Sequence, residues 1–222
     1  MLLSVASVLL LPRVSLDPGA GYDAAAYEAL RTALTDLTIT KDLCIAHGDG
    51  ALALLKRLKA DPSSCGGGAV LLGASPDATL VATVRQPLLV IAGTLDGVNR
   101  LSSFAVLRHR ALGEKHSGRR LFAIVPGGSH RSFASDEPSA LCRELDLEPT
   151  ITSSSTAARV AALIADQLLR TSTVESSSAE PALAARVAQP LIDALKLEGS
   201  AALGKAWCNS DWPTNPTCNY PK

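Results

Sequence analysis

Five short, almost wholly apolar runs, each ended by Gly, Pro or a polar turn, constrain this chain more than any other feature. They are Val5–Leu11, Leu43–Ala46, Ala69–Leu72, Leu88–Ala92 and Leu121–Val125. A strand covered on one face alternates apolar and polar residues, whereas one covered on both faces reads as a continuous apolar run. Stretches of helical period lie between several of the runs. Tyr27, Leu30 and Leu34 share a stripe in Asp23–Leu34, Leu54, Leu55 and Leu58 share one in Gly50–Leu58, and Ser102–Leu112 is a third candidate. The alternation predicts an α/β fold, a mostly parallel sheet flanked by helices. Farther on, Thr156–Leu169 carries Val160, Leu163, Ile164 and Leu168 at core-facing spacing, after a Ser/Thr cluster able to cap its start. A fifth helix, Ala182–Leu195, is expected to kink or divide at Pro190. The Ser-rich TSTVESSSAEP before it reads as a linker. One domain over residues 1–171 is expected, with residues 172–222 forming a linker, a helix and a tail packed on the same domain.

Composition narrows the classes of function. With 222 residues, 47% hydrophobic and 19% charged, the chain can bury one substantial core, which argues against disorder and against a coiled coil. Lys+Arg and Asp+Glu are equal at 21 each, so no basic field recruits nucleic acid or anionic membrane. The five cysteines lack paired CxxC spacing, and no metal or other cofactor is expected. Cys208 and Cys218 bracket the Pro- and Asn-rich WCNSDWPTNPTC, where a local disulfide would replace the core that so short a segment cannot build, given an oxidising compartment. Trp207 and Trp212 of that tail either pack it onto the domain or line a groove. No apolar run approaches the ~20 residues of a bilayer span. The opening MLLSVASVLLLP suits a signal peptide or a buried strand, which leaves both secretory and cytoplasmic locations open.

Ligands of parallel sheets collect beyond the carboxyl ends of the strands. Three strand exits carry polar punctuation there: LCIAHGDGA runs into a Gly-containing turn and a helix, LLVIAGTLDG presents Asp96, and FAIVPGGSHRSF presents His130. In content and order these resemble the α/β-hydrolase superfamily, whose nucleophile, acid and histidine each follow a strand. The resemblance spans roughly residues 43 to 133, with AVLLGASP as the strand between the nucleophile helix and the acid strand. It implies Asp96 at the acid position and His130 at the base position. The family elbow is small-x-nucleophile-x-small, which sets Ala46 and Gly50 at the small positions, Gly48 at the nucleophile and Asp49 after it. Gly48 has no side chain to attack with.

A one-residue shift that makes Asp49 the nucleophile puts His47 at a flank the turn should resist. Ser75 follows a strand, but Pro76 comes next and offers no N–H for an oxyanion. His47 reads as a packed elbow residue, and His109 and His116 as a solvated surface. The loop LDPGAGYDAAAY, entering a helix, is the counterpart of the family's second oxyanion donor, with Gly19, Ala20, Gly21 and Tyr22 as candidates. Between that helix and LCIAHGDGA lies only TDLTITKD, where the family usually places a further strand and helix. The first half therefore looks abbreviated. Two functions follow as expectations. One is an ester or acyl hydrolase by descent, acting weakly or not at all on a small-molecule ester because Gly48 holds the nucleophile position. The other is a non-catalytic ligand-binding or interaction protein on the same scaffold.

Overall fold

A computed structural model describes residues 14–19, 21–113 and 119–169. Five strands, β1 (Val14–Asp17), β2 (Leu43–His47), β3 (Gly68–Leu72), β4 (Leu88–Gly93) and β5 (Arg120–Val125), form one sheet in sequence order, every neighbouring pair parallel. The helices are α1 (Glu28–Thr35), α2 (Gly50–Ala60), α3 (Ala78–Thr83), α4 (Leu101–Gly113), α5 (Ala140–Leu145) and α6 (Ser153–Ile164). The α/β architecture expected from the apolar runs is thus present. Strands β2, β3 and β4 are buried at every position, as a sheet covered on both faces requires.

Alternation along the strands divides the interior into two cores. Cys44, Ala46, Leu71, Val90 and their neighbours face α2, α3 and α4, with Phe104 and Phe122 packed edge to face at 5.8 Å. Leu43, Ile45, Val70, Leu72 and Ile91 face α1 and α6 on the other side, together with Tyr27 and Phe133. The connections through α2, α3 and α4 all advance across the sheet in one direction over one face. The connection through α1 advances in the same direction over the opposite face, so its hand is reversed. Parallel crossovers share one hand in about 98% of cases. A reversed one therefore needs its helix anchored, and α1 is anchored by its pairing with α6.

Several elements differ from the sequence reading. The first described strand is Val14–Asp17, whose last two residues fall in the stretch read as a loop; among the described residues it is a half-exposed edge strand, and its short VSLD carries no apolar run. Val5–Leu11, Ala182–Leu195 and the Cys208–Cys218 tail with Trp207 and Trp212 lie outside the described residues, as do Ala20 and His116. The helix expected over Asp23–Leu34 begins as a 3-10 turn, Ala24–Tyr27, capped by Asp23 Oδ1, before α1 proper. Helices α3 and α5 were not anticipated. Each has six residues, too few to show a period, and each starts on a side-chain cap, Asp77 and Ser139 respectively.

One covalent link was also missed. Cys44 at the start of β2 is bonded to Cys65 in the turn before β3, with Cα atoms 5.4 Å apart. Both half-cystines are buried, and Cys65 holds a left-handed backbone (φ 57°). Formation of this bond needs oxidising surroundings. It closes a loop of 21 residues, which restricts the unfolded chain by about 3 kcal/mol. A reductant strong enough to open it should lower the melting temperature by roughly 6–12 °C, measured by circular dichroism against a Cys44→Ala/Cys65→Ala control that no longer responds.

Candidate functional site

The carboxyl ends of β2, β3, β4 and β5 place Gly48, Gly73, Asp96 and His130 together. Gly48 follows β2 directly with φ +51°, a left-handed backbone natural to glycine, and its N–H donates to Leu72 O (3.0 Å). Helix α2 starts two residues later. Gly50 has to be small there, because a Cβ would stand 2.6 Å from Asp17 O and 2.8 Å from Pro18 O. Ala46 is fully buried on the other flank. The strand-turn-helix is therefore crowded on both sides of Gly48, and a Cβ built on Gly48 itself would meet His130 Nε2 at 3.1 Å and Cε1 at 3.2 Å.

His130 and Asp96 form a buried pair, with Nδ1 3.1 Å from Oδ2 and the side chains 5% and 0% exposed. The carboxylate can only accept, so Nδ1 carries a proton, and in the neutral ring Nε2, toward Gly48, keeps its lone pair. Asp96 Oδ1 accepts from the N–H groups of Val98 (3.0 Å) and Asn99 (2.6 Å), while the Asn99 side-chain amide donates to Gly73 O (2.8 Å). Gly73 (φ +48°) keeps room for the pair: a Cβ there would lie 2.8 Å from Asp96 Oδ2 and 3.1 Å from His130 Nδ1. Burial raises the Asp96 carboxyl above its ordinary range, against the lowering effect of His130 and the Asn99 N–H.

The sign of this shift makes a stability prediction. A raised folded-state value means that the folded protein holds this proton more tightly than the unfolded chain. Ionisation of Asp96 therefore weakens the fold as pH rises through that value. Asp96→Asn removes the titrating carboxyl, so the stability of the variant relative to the unmodified protein should rise as pH is taken from below the ordinary carboxylate range to neutral. Thermal melts of both proteins at the two pH values check it.

A second histidine packs on the first. His47, fully buried, stacks on His130 with ring centroids 4.3 Å apart. Tyr27 Oη accepts from Gly19 N–H (2.9 Å) and shares a further hydrogen bond with His47 Nδ1 (2.8 Å), in which either group can donate. Burial, with His130 alongside, keeps His47 well below the usual histidine range, and burial pushes the Tyr27 hydroxyl up to about 12. Both rings are thus neutral partners in a packed wall.

Not every residue named from sequence has the role first expected for it. The Gly19 N–H is engaged by Tyr27 and the Tyr22 N–H by Gly19 O (3.2 Å), so neither is free to hold an oxyanion. The Gly19 contact arises because Tyr27 reaches back from the following helical turn. Gly21 (φ +80°) remains at the loop's outer side, and Gly19 Cα lies 3.8 Å from a Gly48 Cβ, over the elbow. Asp49 is exposed at the start of α2, and Gly48 rather than Asp49 faces His130. Ser75 lines a cleft of about 370 Å³ with Asp77, Ser102 and Arg110, on the side of α3 and α4. His109 lies in α4.

Sequence reading also overlooked the residue that binds the loops together. Asp146, just after α5, accepts from Gly97 N–H (3.0 Å) and His130 N–H (3.0 Å) through Oδ1 and from Arg131 N–H (2.9 Å) through Oδ2. One carboxylate thereby ties the acid loop to the histidine loop. An aspartate between two exposed leucines, Leu145 and Leu147, gives no sequence signal of this. Beside the site a second cleft, about 490 Å³, is lined by Gly21, Tyr22, Asp23, Ser135, Glu137 and Ser139.

Among the described residues no three His, Cys, Asp or Glu side chains gather as a metal site, and no helix is long and apolar enough to cross a membrane. Compared with known proteins, the chain matches no family model and no curated sequence.

Proposed function

We propose that this protein carries an ester or acyl hydrolase-type site of the α/β-hydrolase kind in which Gly48 occupies the nucleophile position, so that hydrolysis is weak or absent. The observation that carries the reading is the line Gly48, His130, Asp96: a Cβ on Gly48 would fall 3.1 Å from His130 Nε2, whose Nδ1 is held by Asp96. In a complete site a hydroxyl there attacks a carbonyl carbon, the imidazole takes its proton and later gives it to the leaving group, and the aspartate orients the imidazole. This chain supplies the second and third of those parts.

Two further features support the reading. The small flanks of the elbow are enforced by backbone contacts at Gly50 and by burial at Ala46. The reversed hand of the α1 crossover is what remains when a strand and a helix are taken out between α1 and β2, which is where the sequence is short relative to the family it resembles.

The test restores the missing group. Gly48→Ser, exposed to a fluorophosphonate probe that labels activated serines, should acquire one covalent adduct at residue 48, and the adduct should disappear in Gly48→Ser/His130→Ala. A folded Gly48→Ser protein that stays unlabelled would overturn the elbow assignment.

The second reading is a non-catalytic binding protein, favoured by the 490 Å³ cleft beside Gly21 and Tyr22. A cleft of this size accommodates a small acyl compound. Ligand that binds only the folded state raises its melting temperature. Stabilisation by a non-hydrolysable acyl analogue, without turnover of the matching ester, is the result that selects this reading.

A further inference from the structure

The acid and base loops are held in working order although the residue they would activate has no side chain. Asp96 is buried with both oxygens engaged, and Asp146 grips the His130 backbone. The imidazole keeps 5% of its side chain in contact with solvent, while the Asp96 side chain has none. The solvent-exposed part of the pair thus belongs to the base and not to the acid, and Nε2 lies on the side of Gly48. Groups facing the imidazole are Asp96 after β4 and His47 at the end of β2, with Phe133 packed in turn on the His47 ring at 6.0 Å. His47 is kept neutral by burial with His130 alongside, so no cation stands against the imidazole on that side.

We propose that in the unmodified chain the His130–Asp96 pair is a general base for water, hydrolysing activated acyl esters in one displacement without an acyl-enzyme. The inference rests on the reading of His130 and Asp96 as an acid-oriented base, and goes beyond it by assigning an attacking group. The water oxygen forms the new bond to the acyl carbon as its proton passes to His130 Nε2, and the imidazolium is stabilised by Asp96. The tetrahedral adduct then breaks its bond to the leaving oxygen, which either takes the Nε2 proton or departs as an anion while that proton passes to solvent water. Ester and water become acid and alcohol, and the imidazole is returned neutral.

A positioned general base contributes at least about 10²-fold. With 4-nitrophenyl acetate as probe, the unmodified protein should therefore exceed buffer, and exceed His130→Ala, by about 10²-fold. Asp96→Asn, which offers Nδ1 the wrong partner, should fall most of the way to background while remaining folded. Turnover should be slower in deuterium oxide, show no burst, persist after fluorophosphonate treatment and persist in Cys142→Ser, which removes the one free thiol among the described residues. An acetyl adduct on His130 in acid-quenched mass spectra, loss of the rate in Cys142→Ser, or equal rates in the unmodified protein and His130→Ala would each overturn the inference. The last result together with a labelled, active Gly48→Ser leaves the hydrolase-type site standing and removes only the water-activating role. An inert, unlabelled Gly48→Ser removes the elbow instead.

Discussion

Gly48→Ser should turn over 4-nitrophenyl acyl esters at least about 10²-fold faster than the unmodified chain, since a covalent nucleophile joins a base that is already oriented. The gain is limited by fit. The new Cβ stands 3.1 Å from His130 Nε2, tighter than ordinary contact, so the imidazole has to withdraw by a few tenths of an ångström. It can move only with the His47 ring stacked on it and the Asp96 carboxylate bonded to it. The backbone adds its own resistance, because a serine at φ +51° costs of order 1 kcal/mol relative to glycine. The expected outcome is an active variant less stable than its parent by about 1–2 kcal/mol. Parallel denaturant titrations and initial-rate measurements check the two parts. Gly48→Ala, which has the same steric burden and no hydroxyl, should share the loss of stability and show no gain in rate.

Asp146→Ala should produce the largest loss. Three backbone N–H groups, of Gly97, His130 and Arg131, converge on this carboxylate. Removing it leaves partly buried donors without an acceptor, each costing about 1 kcal/mol or more, so a destabilisation of about 2–4 kcal/mol is expected. The kinetic consequence is separate. With the clamp gone the histidine loop is no longer tied to the acid loop, and a misplacement of 1 Å is worth about 10²-fold. In the Gly48→Ser background, Asp146→Ala should therefore reduce kcat by about 10²-fold at temperatures where both proteins remain folded. Asp146→Asn keeps one acceptor oxygen and should recover part of the rate. If Asp146→Ala melts earlier yet keeps its full kcat, the carboxylate holds the fold and does not position the base.

The parts that were legible in the sequence share a physical reason. Strands β2, β3, β4 and β5 are covered on both faces, so their burial is written as unbroken apolar runs, and the helices that cover them carry period 3.6. Gly48, Asp96 and His130 were legible as strand-end residues because a parallel sheet brings such ends to one rim. The edge strand β1 was not legible: it is half exposed and four residues long, and its pairing with β2 comes from the register Val14 to Leu43 rather than from its own composition. The Cys44–Cys65 bond was hidden for a similar reason. Its partners stand together only because α2 returns the chain to the same end of the sheet.

What the amino-acid order determined by itself is the alternation of strand and helix, the side chains presented at the strand exits, and the absence of a hydroxyl between Ala46 and Gly50. These depend on local periodicity and on residue identity, which the chain carries wherever it lies. Tertiary structure alone decided the reversed α1 crossover, the withdrawal of the Gly19 N–H by Tyr27, the stacking of His47 on His130 and the grip of Asp146 on three amides. Each of these joins groups distant in sequence or fixed by packing, and their approach is selected by the two cores on either side of the sheet.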